Sequence, residues 1–231
     1  MNALLRKQAF FDGVVPDWIR DTDERSARLA ELFAAYDLPV DAPVLDVGAG
    51  AGIMLPFLLK QLQMKQQHTP ETTAADPSEF IREQQEAIDT PPAGPAVIEL
   101  EISPEMLRMA RATHGTDNGI AYLRADAHHL PFPDSFFRCV HCFSVYPHFD
   151  HPRRALAEFR RCLRPDGALC ILHLMGHEEL NAIHRDAGRV VAEDRLPPVD
   201  RVAEIIEESG FVVRYAEERS DLYLVVAGRN G

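Results

Sequence analysis

A glycine-punctuated stretch, Val44-Leu45-Asp46-Val47-Gly48-Ala49-Gly50-Ala51-Gly52-Ile53, carries the strongest chemical signal in the chain. Glycines at alternate positions after an apolar strand let the backbone turn sharply. They also let a ligand approach main-chain N–H groups at a helix start. Two ligand classes use such a turn. A dinucleotide needs G-x-G-x-x-G, with its pyrophosphate over the helix N-terminus. In the frame that begins at Gly48 the third glycine position holds Ile53, and in the frame at Gly50 it holds Leu55. Both frames fail, and Asp46 would oppose a nearby pyrophosphate, which disfavours a nicotinamide-dependent oxidoreductase. Asp46 suits a ligand with a positive end.

The other candidate groups are weaker. His173, His177 and His184, with Glu178, fall at and after a late apolar strand, and His177 and His184 are two helical turns apart. A metal site needs three or four convergent ligands. Without a spacing such as H-E-x-x-H no metal is expected, and pocket lining and surface exposure both remain open for these histidines. His128-His129 lies in a loop and suggests no particular role. Cys139-x-x-Cys142 lies in a strand-like run, where side chains three apart face opposite ways, so it reads as core packing.

The composition bounds what such groups can serve. The 231 residues are 46% hydrophobic and 26% charged, with a formal net charge of −12, which excludes collagen-like, disordered and disulfide-scaffold classes. The acidic balance argues against nucleic acid as a partner, because phosphate binding needs surplus Lys and Arg. No apolar run approaches the roughly 20 residues that span a bilayer, and the first residues do not read as a secretion signal. The four cysteines read as reduced core thiols, which points to a cytoplasmic location.

The elements that must position the glycine turn follow from periodicity. Residues 2–12 form an amphipathic helical segment, Val14–Trp18 a loop holding the only tryptophan, and 21–36 a helix with Leu29, Leu32, Phe33 and Tyr36 on one face. Strands are expected at 43–48, 97–101, 120–124, 137–144 and 167–174. Helices are expected at 53–62, 103–113, 152–163 and 199–209. Two final strands, 211–217 and 222–227, form an antiparallel hairpin. Residues 61–95, rich in Gln, Thr and Pro, read as an insertion with one helix at about 77–89. Strand–helix alternation with strands apolar on both faces makes the fold class α/β: a doubly wound, Rossmann-like, seven-stranded sheet, mainly parallel with an antiparallel C-terminal hairpin. Residues 1–40 would be an N-terminal helical cap on a domain spanning 41–231.

In its motifs the chain resembles the class I S-adenosylmethionine-dependent methyltransferases, and within them the small-molecule branch that includes quinone-biosynthesis enzymes. Asp46, Gly48, Gly50 and Gly52 meet the family's acidic G-x-G-x-G motif. Glu101-Ile102-Ser103-Pro104-Glu105-Met106-Leu107 meets the second, an acidic strand end leading into a helix. Asp126-Ala127, followed by Leu130-Pro131-Phe132-Pro133-Asp134, meets the third. Arg164-Pro165-Asp166-Gly167 after a helix meets the fourth. The resemblance implies S-adenosylmethionine as cofactor and S-adenosylhomocysteine as product. By analogy Asp46 and the backbone of Gly48, Ala49, Gly50 and Gly52 hold the methionine end, with Ser144 also on the cofactor side. Glu101 accepts from both ribose hydroxyls. Asp126 and the Ala127 N–H meet the adenine edge, while Ile102 and Leu130 pack on its faces.

The chain departs from the family in three places. The separation of Asp46 from Glu101 far exceeds the ~20 residues of dinucleotide folds, and the 61–95 insertion accounts for it. Glu99 stands where relatives carry a small residue, and it rivals Glu101 as the ribose ligand. Arg138 replaces a usual Asp, which alters a structural salt bridge.

Methyl transfer from a sulfonium needs alignment and dryness more than covalent help, and a base only for an acceptor protonated at neutral pH. The resemblance puts acceptor-side residues after the fourth strand. There His148 is the first candidate for base or acceptor ligand, with Tyr146 and His151 beside it. Phe10, Phe11 and Trp18 read either as part of a cap over the cofactor or as a plain docking helix. The expected partner is a small-molecule acceptor, and the chain is expected to be a monomer or homodimer. The alternative is a relative that binds the cofactor without catalysis.

Overall fold

Every residue of β1 (Val44–Val47) and β2 (Val97–Glu101) is buried, as strands covered on both faces require. In the computed structural model, which describes residues 3–20, 22–68, 94–117 and 119–229, these strands lie at the heart of one seven-stranded sheet. Its other strands are β3 (Ile120–Arg124), β4 (Phe137–Phe143), β5 (Leu163–His173), β6 (Phe211–Arg219) and β7 (Leu222–Arg229). The order is β3-β2-β1-β4-β5-β7-β6. β1 to β5 pair in parallel, and β7 runs antiparallel between β5 and β6. The fold class is therefore the expected doubly wound α/β sheet with an antiparallel C-terminal hairpin.

Two apolar layers sandwich the sheet. One joins Leu45, Val47, Ile98, Leu100 and Val140 to Leu156 and Phe159 of α5 (Pro152–Cys162) and to Val202 and Ile206 of α7 (Val199–Glu208). The other joins Val44, Val97 and Cys139 to Leu29 of α2 (Thr22–Ala35) and to Leu55 and Leu58 of α3 (Leu55–His68). Cys139 and Cys142 thus face opposite layers, and all four cysteines are buried and unbridged. The remaining helices are α1 (Ala3–Arg20), α4 (Pro104–His114) and α6 (His177–Asp186). α4 starts where the sequence says it should, with Ser103 Oγ accepting from the Met106 N–H at 3.1 Å and Pro104 in the first turn.

Local breakers mislead at two points. The backbone of α1 continues as one helix through Gly13 and Pro16, where a loop at 14–18 is expected. Propensity is a weak prior, and contacts made by the first turns of α1 with the strand ends override it. α3 likewise runs to His68, past the expected start of the insertion at 61. The helix expected at 77–89 lies outside the described residues. Arg138 forms surface ion pairs with Asp166 at 3.3 Å and Asp41 at 3.7 Å, a local adjustment away from the strand ends that carry the cavities.

Candidate active site

The strand order reverses about β1, with β2 on one side and β4 on the other, and such a switch point opens a crevice at the carboxyl ends of the strands. Four strand ends deliver residues there: Gly48 and Gly50 after β1, Glu101 and Ile102 at the end of β2, Asp126 and Ala127 after β3, and Ser144 and His148 after β4. All eight line one cavity, which Lys7 and Phe11 of α1 also line.

Gly48 has φ +66°, and a Cβ there would meet Val145 Cγ2 at 2.3 Å, so only glycine fits the turn. The loop amides are already engaged. The Gly48 and Ala49 N–H groups donate to the Leu100 carbonyl at 2.8 and 3.1 Å, and the Gly50 N–H donates to Glu101 Oε2 at 3.1 Å. The glycines accordingly supply close approach rather than free donors. Ala49, Gly52 and Asp46 do not line the cavity.

Asp46 lies just beneath the turn, 1% exposed, with no hydrogen-bond partner for either oxygen. Burial, reinforced by the charge of Glu101, pushes its carboxyl up to about 8. Glu99 is its register neighbour on β2, fully buried and also without a partner. Burial and then Asp46 raise its carboxyl well above the usual range. Glu101, not Glu99, reaches the cavity. Its Oε1 accepts from the Ile102 and Ser103 N–H groups at 2.8 and 2.9 Å. Burial raises the Glu101 carboxyl, and the three amide bonds oppose that rise.

Asp126 does two things. Oδ1 accepts from the His128 N–H at 2.9 Å and pairs with His128 Nδ1 at 2.6 Å, so one oxygen caps its own turn. The carboxylate still lines the cavity. Burial acts to raise its pKa, but the bonds from His128 outweigh it and bring it below the ordinary value. His128, for which the sequence suggested no role, lines this cavity as well, whereas Leu130 is in the core instead.

A second, larger cavity adjoins the first, and the two share Phe11, Ser144 and His148. Ser144 has φ +54°, strained for a side-chain-bearing residue, and strain of that kind collects at functional sites. The second cavity is walled by Phe10, Leu174, Met175, Leu180, Ile183 and Val191 and carries His173 and His184. His177 is not with them, because at the start of α6 its Nδ1 pairs with Glu218 at 2.5 Å. Tyr146 lines neither cavity. The short 3-10 turn 146–148 directs it into the core against Phe149, and His148, two residues on, into the cavities.

Sequence reasoning missed the groups that hold His148. Asp194 Oδ2 lies 2.7 Å from His148 Nδ1, and Asp194 Oδ1 lies 3.0 Å from Lys7 Nζ. Lys7, 6% exposed, also donates to the His148 carbonyl and to Asp150 Oδ1, both at 2.7 Å. Burial lowers the His148 pKa, and Asp194 partly restores it. No local pattern marks Lys7 or Asp194, since each acquires its partner from far along the chain.

Residues 84–171 match the family model described as a methyltransferase domain. Over 84 residues the chain is 36% identical to the ubiquinone/menaquinone biosynthesis C-methyltransferase UbiE of Hahella chejuensis, covering 35% of this chain and 33% of that protein. The chain thus spans about a third of the length of the curated relatives it matches. Among solved structures, a SAM-dependent methyltransferase from Aquifex aeolicus aligns with a TM-score of 0.59 at 22% identity, covering 86% of this chain and 87% of that one. A putative methyltransferase of Haloferax volcanii, solved with the Trm112 methyltransferase activator, aligns at 0.67 and 18% identity over 96% and 98%. At these identities the structures establish the fold. Three of the four motifs lie at the ends of the adjacent strands β1, β2 and β3, those at Glu101 and Asp126 fall inside the matched segment, and the fourth opens β5. Over that segment the chain is similar to S-adenosylmethionine-dependent methyltransferases, the UbiE enzymes of ubiquinone/menaquinone biosynthesis among them, and it shares its fold class with the solved methyltransferases.

Proposed function

We propose that the chain moves a methyl group from S-adenosylmethionine to a small-molecule acceptor, with the donor in the first cavity and the acceptor in the second. The observation that carries this reading is the shared wall: Phe11, Ser144 and His148 border both cavities, so two ligands would meet there. The residues fit the donor. Gly48 and Gly50 line the cavity and let a ligand end come close to the backbone of the turn. Glu101 offers a carboxylate to a sugar diol, and Asp126 with Ala127 offers an edge to a purine. When bound, S-adenosylmethionine supplies a methyl group already activated by its sulfonium.

The protein then has to align the partners and exclude water. Apolar side chains of Phe11, Val47, Leu100 and Met106 line the donor cavity and keep it dry. His148 is the group in reach of an acceptor proton. Residues 1–40 act as a helical cap in this proposal, because α1 brings Lys7 to the first cavity and Phe11 to both.

Titration calorimetry with S-adenosylmethionine, S-adenosylhomocysteine and NADH tests the reading. Micromolar binding of the first two and none of NADH is expected. Tight NADH binding with no response to the sulfonium would refute it. A labelled-methyl assay over hydroxyl, amine, thiol and carbon acceptors then separates transfer from binding alone.

A further inference from the structure

The second cavity has largely apolar walls and carries His148, His173 and His184, and hydrogen bonds fix what the first and the last of these offer. Burial acts to raise the Asp194 carboxyl, but the bonds from His148 and Lys7 hold it below the ordinary range, so Asp194 is ionised and can only accept. His148 Nδ1 is then the donor, and its Nε2 keeps the lone pair. His184 Nδ1 faces the Asp194 main-chain carbonyl at 2.6 Å and must donate too, which leaves its Nε2 as an acceptor. The His148 and His184 rings lie 5.0 Å apart. His173 is 1% exposed, and neither of its ring nitrogens has a partner. Burial, then the neighbouring His148 and His184, pushes it down to about 3, so it stays neutral.

The other charged groups near His148 lie on α1 and α2. Lys7 of α1 is held by Asp150 and Asp194. On α2, Glu24, Arg25 and Arg28 line the same cavity, Arg25 over the Phe143 ring and Arg28 on the Asp221 carbonyl. A chamber walled largely by apolar side chains, with α2 charges on one side and lone pairs on imidazole nitrogens, complements an apolar body that bears a hydroxyl donor.

We propose that the second cavity takes an apolar acceptor carrying a hydroxyl group, and that Asp194 is the positioning residue that fixes His148 as the base for its proton. This rests on the methyl-transfer reading above. The hydroxyl oxygen forms the new bond to the methyl carbon as the carbon–sulfur bond breaks, its electron pair returning to sulfur. The hydroxyl proton passes to His148 Nε2, and the imidazolium formed is balanced by Asp194.

The test uses the full chain saturated with S-adenosylhomocysteine, whose binding is measured first. Failure of that step would refute the donor site and leave the acceptor chemistry to the probes alone. 4-Butylphenol and 4-butylanisole, which share an apolar body and differ in the hydroxyl proton, are then titrated by calorimetry from pH 5 to pH 8. The phenol is expected to bind about tenfold more tightly near pH 8, the worth of one buried hydrogen bond. That preference should vanish as pH falls and His148 protonates, while the anisole affinity stays flat.

Asp194→Asn removes the charge that favours the imidazolium, so the midpoint of this loss should move down by about one pH unit or more. A merely structural role would leave it in place. If that variant does not fold, nitrogen NMR of the unaltered protein decides: His148 should carry its proton on Nδ1. Equal affinities for the two probes, no binding of either, an unmoved midpoint or a proton on Nε2 would each overturn the proposal.

Discussion

Replacing Glu101 by Gln is the sharpest test of how the donor cavity is held together. Glu101 accepts three amide protons, two on Oε1 from Ile102 and Ser103 and one on Oε2 from Gly50. A Gln keeps one carbonyl oxygen. Turned toward Ile102 and Ser103 it preserves two bonds, but then its NH2 opposes the Gly50 N–H. Losing one charge-assisted bond costs about 1.5–3 kcal/mol. For a chain of this size that is a fall in Tm of roughly 5–10 °C.

The cavity suffers separately, because an NH2 replaces the acceptor that the proposed function has Glu101 offer to a sugar diol. S-adenosylhomocysteine affinity should fall by about 10–100-fold, from the same range of energies. Thermal unfolding and calorimetry read the two effects independently. A folded Glu101→Gln protein that binds S-adenosylhomocysteine unchanged would refute the assignment of Glu101 to the sugar. Glu99 could not take over the role, since it is fully buried and lines neither of the two cavities.

Further expectations follow from buried charge and close contact. Glu99→Leu removes an unpartnered buried carboxyl and should stabilise the protein by about 1–3 kcal/mol at pH 7, and a lower midpoint in urea would contradict this. Asp46, raised to about 8 when folded, keeps its proton between about pH 4 and pH 8 while the unfolded chain loses it. Its contribution is therefore full below that window and lost as pH rises through it, so unfolding midpoints measured from pH 5 to pH 9 should fall, and a rise would refute the burial argument. Lys7→Met leaves Asp194 and Asp150 without their shared cation and should cost about 2–3 kcal/mol. It should also raise the His148 pKa, which Lys7 depresses, and NMR titration of the imidazole would show whether it does. Gly48→Ala should abolish S-adenosylhomocysteine binding or folding through the clash with Val145. Adding Val145→Gly, which removes the Cβ 2.6 Å away as well as the methyls, should recover part of the loss but leave the roughly 1 kcal/mol cost of φ +66°.

The amino-acid sequence determined what depends on neighbours within one strand–turn–helix unit. The glycine turn, Glu101 at the end of β2 and Asp126 at the end of β3 were legible because each motif sits where a strand must end and a helix or loop must start. The sheet was legible because burial on both faces leaves uninterrupted apolar runs. Tertiary structure decided whatever required two distant segments to meet. Lys7, His148 and Asp194 come from α1, the turn after β4 and the segment after α6, and nothing local to any of them announces a buried ion pair. The backbone of α1 passes through Gly13 and Pro16 because docking of its first turns outweighs local propensity. Between Tyr146 and His148, two residues apart, only the packed 3-10 turn settles which side chain enters the core and which faces the cavities. The physical reason is the same in each case: short-range sterics are written residue by residue, but the desolvation that turns a histidine, a lysine and a carboxylate into a working group exists only once the core has closed around them.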